Sequence, residues 1–90
     1  MSIRVRLHQY FQDIADGQEV VEAKGNTLAE LIDDLEKRYP TIKDHLLDKK
    51  GRLHGFVEVF VNSEIVHPHE TQKQIKDGDE IEVLTIVAGG

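Results

Sequence analysis

One amphipathic helix between two sets of strands is the feature that most constrains how this chain can fold. Its apolar residues recur at helical spacing and form a single stripe: Leu28, Leu31, Ile32 and Leu35. Burying that stripe would contribute at most roughly 6–12 kcal/mol. Because the strands occur in succession on either side of the helix, repeated parallel βαβ units are excluded. We therefore expect an α+β fold in which one main helix crosses one face of a mixed sheet.

The ends of this helix are marked in the sequence. Thr27 and Glu30 form a capping-box pattern, in which a hydroxyl and a carboxylate satisfy the first free amides of the helix. Pro40 ends the helix, because the residue before a proline avoids helical backbone angles. Residues 41–47 predict a short second helix that contributes Ile42, Leu46 and Leu47 to the core.

The strands are indicated by alternation of apolar and polar residues. Five segments have this character, and they lie within residues 3–10, 19–24, 56–62, 63–69 and 80–86. A turn at residues 16–17 separates the first two, and residues 71–76 predict a single helical turn. The expected order is β-β-α-(α)-β-β-β.

The third strand has two different faces. Val57, Val59 and Val61 lie on one face and would pack on the helix stripe, which leaves Phe56 and Phe60 on the other. Exposed aromatic surface on a small protein often marks a binding site for a partner. The alternative is that loops cover the two rings.

Composition excludes several classes of function. The chain has 90 residues, and we expect a single domain spanning 1–90. The net charge of −6 argues against a nucleic-acid partner, and no apolar run approaches the ~20 residues that span a bilayer. The first ten residues lack the apolar region of a signal peptide, so we expect a cytoplasmic protein. Without cysteine, disulfides and thiolate chemistry are excluded.

The histidines and turn aspartates do not predict a catalytic or metal site. His67 and His69 lie close together in a loop, but the pattern lacks further ligands, and we expect no bound metal. Their role stays open. Asp77 and Asp79 are expected to shape the turn before the last strand.

The end of the chain, together with three internal motifs, resembles the ubiquitin-like sulfur carrier proteins of the MoaD/ThiS family. The internal motifs are GNTLAELIDDL at the helix, VFVN at the end of the third strand, and IKDGDEI before the last strand. The chain ends in Gly89-Gly90. The resemblance covers nearly the whole chain and implies a ubiquitin-like β-grasp fold with a C-terminal diglycine tail at residues 87–90.

The resemblance implies a carrier rather than an enzyme. A ubiquitin-activating-like enzyme would adenylate the Gly90 carboxylate with ATP and Mg²⁺, which belong to that enzyme and not to the carrier. A sulfur donor would then convert the adenylate into a thiocarboxylate, and a second enzyme would accept the sulfur. The residue types agree with this use: glycines without a Cβ suit a narrow channel, which gives Gly89 a role in flexibility and fit. We expect partner contacts from six residues: Phe56, Phe60, Leu84, Ile86, Val87 and Ala88.

The pathway that receives the sulfur is open at this stage. The segment LDKKGRLHGFVEVFVN is similar to long-loop carriers that serve a pyridoxal-phosphate cysteine synthase, and this favours cysteine biosynthesis. The alternatives are the small subunit of molybdopterin synthase, whose partner is the large subunit, and a thiamine-type carrier. LTIV stands before the tail where molybdopterin-type carriers often have paired prolines. A further alternative is a ubiquitin-like modifier that is attached to other proteins through Gly90.

Overall fold

A computed structural model of the chain describes residues 2–86. Five strands and three helices follow one another: β1 (Ile3–Leu7), α1 (Gln9–Gln12), β2 (Val20–Ala23), α2 (Leu28–Arg38), α3 (Ile42–Leu46), β3 (Val57–Val61), β4 (Glu64–Val66) and β5 (Glu80–Thr85). The strands form one mixed sheet in the order β2-β1-β5-β3-β4. The expected α+β architecture, a β-grasp with one main helix, is confirmed.

The last strand occupies the centre of the sheet. β5 pairs in parallel with β1, where Val5 lies opposite Ile81, and in antiparallel with β3, where Val59 lies opposite Val83. β1 pairs in antiparallel with β2, and β3 with β4, so that β2 and β4 are the edges. The chain therefore leaves the sheet from a strand that is supported on both sides.

The main helix begins and ends as its sequence predicts. Thr27 Oγ1 accepts a hydrogen bond from the Glu30 amide, and the Glu30 carboxylate accepts one from the Asn26 amide. The helix ends at Arg38, two residues before Pro40. The capping box is confirmed, with its second bond displaced by one residue toward the N-terminus.

The core lies between this helix and one face of the sheet. All four residues of the stripe are buried, and so are the three valines of β3. Alternate residues of β1 and β5 complete the sheet side of the core, for example Val5 and Val83. The short helix α3 is also confirmed: Ile42 and Leu46 are buried, and Leu47 packs partly buried against them.

The prediction of a helical turn at residues 71–76 is wrong. In place of a helix, this segment runs past the start of α2, where the carbonyl oxygens of Thr71 and Lys73 accept hydrogen bonds from the Ala29 and Leu28 amides at 2.8 and 3.0 Å. These amides have no partner within α2 itself. Residues 71–72 form a turn, in which the Lys73 amide donates to the Glu70 carbonyl at 3.1 Å, and Gln74 then makes an isolated bridge with Thr27. The carbonyl groups that bind α2 are not available for bonds within a helix.

The helix α1 has no counterpart in the sequence-based prediction. It is a single turn after β1, and it buries Phe11 completely. Gln12 Nε2 donates to the Leu7 carbonyl at 2.8 Å and holds the turn against the end of β1. Burial of one ring, rather than a repeating pattern, fixes this element.

Within residues 2–86, the helices are all shorter or more polar than a membrane crossing requires.

Candidate functional site

The site of interest is the point where the chain leaves β5. The Ile86 amide donates a hydrogen bond to the Phe56 carbonyl at 2.8 Å, which continues the pairing of β5 with β3 for one residue beyond the strand. Ile86 is the last residue that the structure describes. The predicted reactive tail, with Val87, Ala88, Gly89 and Gly90, lies outside the described residues.

The sheet face opposite the helices carries two of the predicted contact residues. Phe60 lies opposite Glu82, and Leu84 lies opposite Glu58, so that the two apolar side chains are diagonal neighbours on one face. Both are half-buried. We call this surface the open face. In the sheet, Phe60 lies between Glu82 of β5 and Ile65 of β4.

Polar and charged side chains lie beside the apolar residues of the open face. His8 Nε2 lies 2.8 Å from Glu82 Oε2, and Arg6 Nη1 lies 3.3 Å from Glu19 Oε1. All four side chains are largely exposed, so each pair contributes little to stability. Such charges around an apolar centre are suited to orienting a partner more than to strengthening the complex.

Phe56 and Ile86 lie elsewhere, at the end of the sheet where the chain leaves β5. The Phe56 ring stacks on the His54 ring, with centroids 5.1 Å apart, and makes an edge contact with Tyr10 at 6.3 Å. Tyr10 was not among the predicted site residues. The sequence offered one signal for Tyr10: it precedes Phe11 directly after β1, so that one ring can be buried while the other stays exposed. This signal can be used only once the helix α1 is recognised.

A buried carboxylate fixes the start of β5. Asp79 Oδ1 accepts a hydrogen bond from Asn62 Nδ2 at 3.0 Å, and Asp79 Oδ2 accepts one from the Lys76 amide at 2.8 Å. Asn62 Oδ1 in turn accepts one from the Glu80 amide at 2.9 Å. The donor groups of Asn62 and then Lys76 hold the pKa of Asp79 below its ordinary value.

This arrangement confirms that Asp79 shapes the turn before β5. The part played by Asn62 was not predicted, although the VFVN motif contained it. The bonds join the end of β3 to the start of β5, so they set the register of the strand that leads to the tail.

The histidine pair shows no metal-binding geometry. The His67 and His69 rings lie parallel with centroids 6.1 Å apart, and the Glu70 carboxylate accepts a hydrogen bond from the His67 amide. Among residues 2–86, there is no group of three or more potential ligand side chains that could hold a metal ion.

Comparison with known proteins establishes the family. The model of the ThiS family matches residues 5–90, which includes every strand from the middle of β1 onward and the whole tail. The chain belongs to the ThiS family. It is 38% identical to the sulfur carrier protein CysO of Mycobacterium tuberculosis, over the full length of both proteins.

Solved structures agree with the fold. A chain in the crystal structure of the Amycolatopsis orientalis BexX/CysO complex is 38% identical, with a TM-score of 0.90 over 98% of this chain and 99% of that one. The crystal structure of Mycobacterium tuberculosis CysO is 35% identical, with a TM-score of 0.87 over 94% and 99%. This member of the ThiS family thus has the same β-grasp fold as these relatives, without a large insertion or deletion.

Proposed function

We propose that this protein is a sulfur carrier whose C-terminal Gly90 carboxylate becomes a thiocarboxylate. The observation that carries the proposal is the full-length identity of 38% with a sulfur carrier protein, which extends through the tail. The position of β5 in the centre of the sheet supports it, because a tail that must enter another enzyme is best presented by a rigid strand.

The chemistry follows from the properties of a carboxylate. A carboxylate is a poor acyl donor, so an activating enzyme must first join it to AMP, with release of pyrophosphate from ATP. A sulfur donor then displaces AMP and leaves sulfur in place of one carboxylate oxygen. The Mg²⁺ and ATP belong to the activating enzyme. The carrier supplies the carboxylate and the surfaces that are recognised, and it is not itself the catalyst.

The favoured destination of the sulfur is cysteine biosynthesis, as the name of the relative suggests. The thiocarboxylate sulfur would add to a three-carbon substrate held by a pyridoxal-phosphate cysteine synthase. A shift of the acyl group from sulfur to nitrogen would leave one cysteine joined to Gly90 until a protease releases it. The open face around Phe60 and Leu84 is proposed to dock these enzymes, and the complex of CysO with BexX in a similar structure shows that such a carrier can bind a protein partner.

Intact-mass spectrometry tests the carrier reaction. The chain is incubated with the adenylating enzyme of its own organism, ATP and sulfide, and we expect a mass increase equal to the difference between one sulfur and one oxygen. Gly90→Val and a chain with one extra residue after Gly90 should not react, because a Cβ or an added residue blocks the channel. Gln72→Val is the control, since Gln72 is exposed in the turn beside the start of α2, away from the exit of β5 and from the open face.

The outcomes separate the alternatives. An unchanged mass in the native chain would contradict the carrier function, and conversion of the extended chain without trimming would contradict the channel argument. A later adduct heavier by one cysteine residue indicates the cysteine pathway. A stable complex with the large subunit of molybdopterin synthase, without that adduct, would assign the carrier to molybdopterin synthesis instead. A ladder of conjugates in lysates, lost when Gly90 is deleted, would identify a protein modifier.

A further inference from the structure

Exposed apolar side chains are concentrated around the exit of β5. Four large hydrophobic side chains are exposed among the residues that the structure describes: Tyr10 (43%), Phe56 (42%), Ile65 (47%) and Ile86 (44%). Three of these lie together, because Ile86 pairs with Phe56 through its amide and Phe56 contacts Tyr10. Ile65 lies apart on the edge strand β4. This concentration of exposed apolar side chains at one end of the sheet requires an explanation other than incomplete burial.

The rings around the exit are held in place by contacts beneath them. Tyr10 meets the buried Phe11 ring edge-on, with centroids 5.0 Å apart and the planes at 85°. His54 stacks on Phe56 with the planes at 19°, and the His54 Nε2 atom lies 3.0 Å from the Asp44 carbonyl oxygen. We call Tyr10, His54 and Phe56 the aromatic collar. Because its rings are already fixed, a partner that packs on them loses little side-chain entropy.

The length of the tail determines what must approach the collar. Four residues, 87–90, carry the chain from Ile86 to the Gly90 carboxylate, and an extended chain spans at most about 3.3–3.6 Å per residue, so this carboxylate can lie no farther than roughly 14 Å from Ile86. An enzyme that reacts with this carboxylate must therefore bring its own surface within that distance of the collar.

We propose that the aromatic collar is the contact surface for an apolar rim around the tail-binding channel of the adenylating enzyme. The inference rests on the proposed function, since it takes the terminal carboxylate to be the reacting group. The collar is separate from the open face: Phe60 and Leu84 lie on the sheet surface, whereas the collar lies at the end of the sheet from which the tail leaves. Tyr10 and His54 thereby become residues that recognise the partner.

Steady-state adenylation kinetics test the proposal. The rate of pyrophosphate release is measured with the purified adenylating enzyme at varied concentrations of carrier, for the native chain and for Phe56→Ala, Tyr10→Ala and Phe56→Tyr. Gln72→Ala is the control, because Gln72 is exposed and lies in the turn beside the start of α2, away from both the collar and the open face. The melting temperature of each variant shows whether it is folded.

We expect the KM for the carrier to rise about tenfold or more in the two alanine variants at nearly unchanged kcat, because the collar touches the enzyme surface and not the reacting carboxylate. Phe56→Tyr, which keeps the ring, and Gln72→Ala should stay within about twofold of the native KM, because neither removes a contact of the collar or of the open face.

Native-like KM values in folded Phe56→Ala and Tyr10→Ala would overturn the proposal, as would an equal rise with Gln72→Ala. A native chain that dimerises through these rings, and becomes monomeric with Phe56→Ala, would assign the collar to a second copy of this chain. A native chain that is not adenylated at all would instead refute the proposed function, and the collar with it.

Discussion

Replacing Asp79 with asparagine should destabilise the protein far more than the same change at Asp77. Asp79 is 7% exposed, and each of its carboxylate oxygens accepts one hydrogen bond, from Asn62 Nδ2 and from the Lys76 amide. Asparagine keeps one oxygen but places an NH₂ group opposite the other donor. Rotating the Asn62 amide does not repair the mismatch, because Asn62 Oδ1 already accepts from the Glu80 amide.

The magnitude follows from the number of bonds lost. A hydrogen bond to a charged group contributes about 1.5–3 kcal/mol. The variant loses one of the two hydrogen bonds to residue 79, and the acceptor of the remaining bond is no longer charged. We expect the free energy of unfolding to fall by about 2–3 kcal/mol, which corresponds to a melting temperature roughly 10–20 °C lower in a domain of this size. Asp77→Asn should change the free energy by less than about 0.5 kcal/mol, because the exposed Asp77 accepts from the Ser2 amide through Oδ1, which asparagine retains.

Urea unfolding followed by circular dichroism at several pH values measures both the size and the origin of the effect. Because the pKa of Asp79 is lowered in the folded state, its carboxylate stabilises the protein fully above the ordinary value of 3.8, and this contribution is lost as the pH falls through the lowered pKa. The difference between the native chain and Asp79→Asn should therefore be constant from about pH 5 to 8 and shrink below about pH 4. Equal destabilisation by the two variants, or a difference that keeps its full size down to pH 3, would refute the reasoning.

Three further substitutions test other parts of the structure. Gly25→Ala should destabilise by about 1–3 kcal/mol, because its Cβ would lie 2.6 Å from the Leu31 amide nitrogen, whereas Gly55→Ala should be nearly neutral; equal urea midpoints would contradict the contact. Ser63→Gly should raise the free energy of unfolding by about 0.5–1 kcal/mol, since residue 63 has a φ of 71° in a two-residue hairpin loop that favours glycine; a lower urea midpoint would show that the serine side chain is needed. Phe60→Asp should weaken binding of the adenylating enzyme by about 2 kcal/mol or more in calorimetry while costing less than that in stability, and a larger loss of stability would place the ring in the core.

The helix and the strand pattern could be predicted from the sequence because both depend on local periodicity. The stripe of α2 specifies its buried face at every turn, and the alternation in β3 separates its valines from Phe56 and Phe60. The capping box and Pro40 act through neighbouring residues, so they give the helix ends without tertiary information. The terminal diglycine and the three internal motifs likewise indicated the family, which the match over residues 5–90 confirms.

Elements held by distant contacts could not be predicted in this way. Residues 71–76 have a composition compatible with a helical turn, but their carbonyl groups bind the first amides of α2, which is about 45 residues away in the chain. α1 forms because one ring, Phe11, fits into the core, and a single buried residue has no period. In both cases the decisive partner is remote in sequence.

The sequence by itself determined the class of fold, the apolar stripe of α2 and the family, because these are recorded in spacing between near neighbours. Only the tertiary structure decided how the predicted contact residues divide, with Phe60 and Leu84 on the open face and Phe56 beside Tyr10 at the exit of β5. Alternation places Phe56 and Phe60 on the same side of a strand. Phe56, however, stands just before β3 begins, and its side chain turns toward Tyr10 of α1 and the His54 ring, which pack beside it.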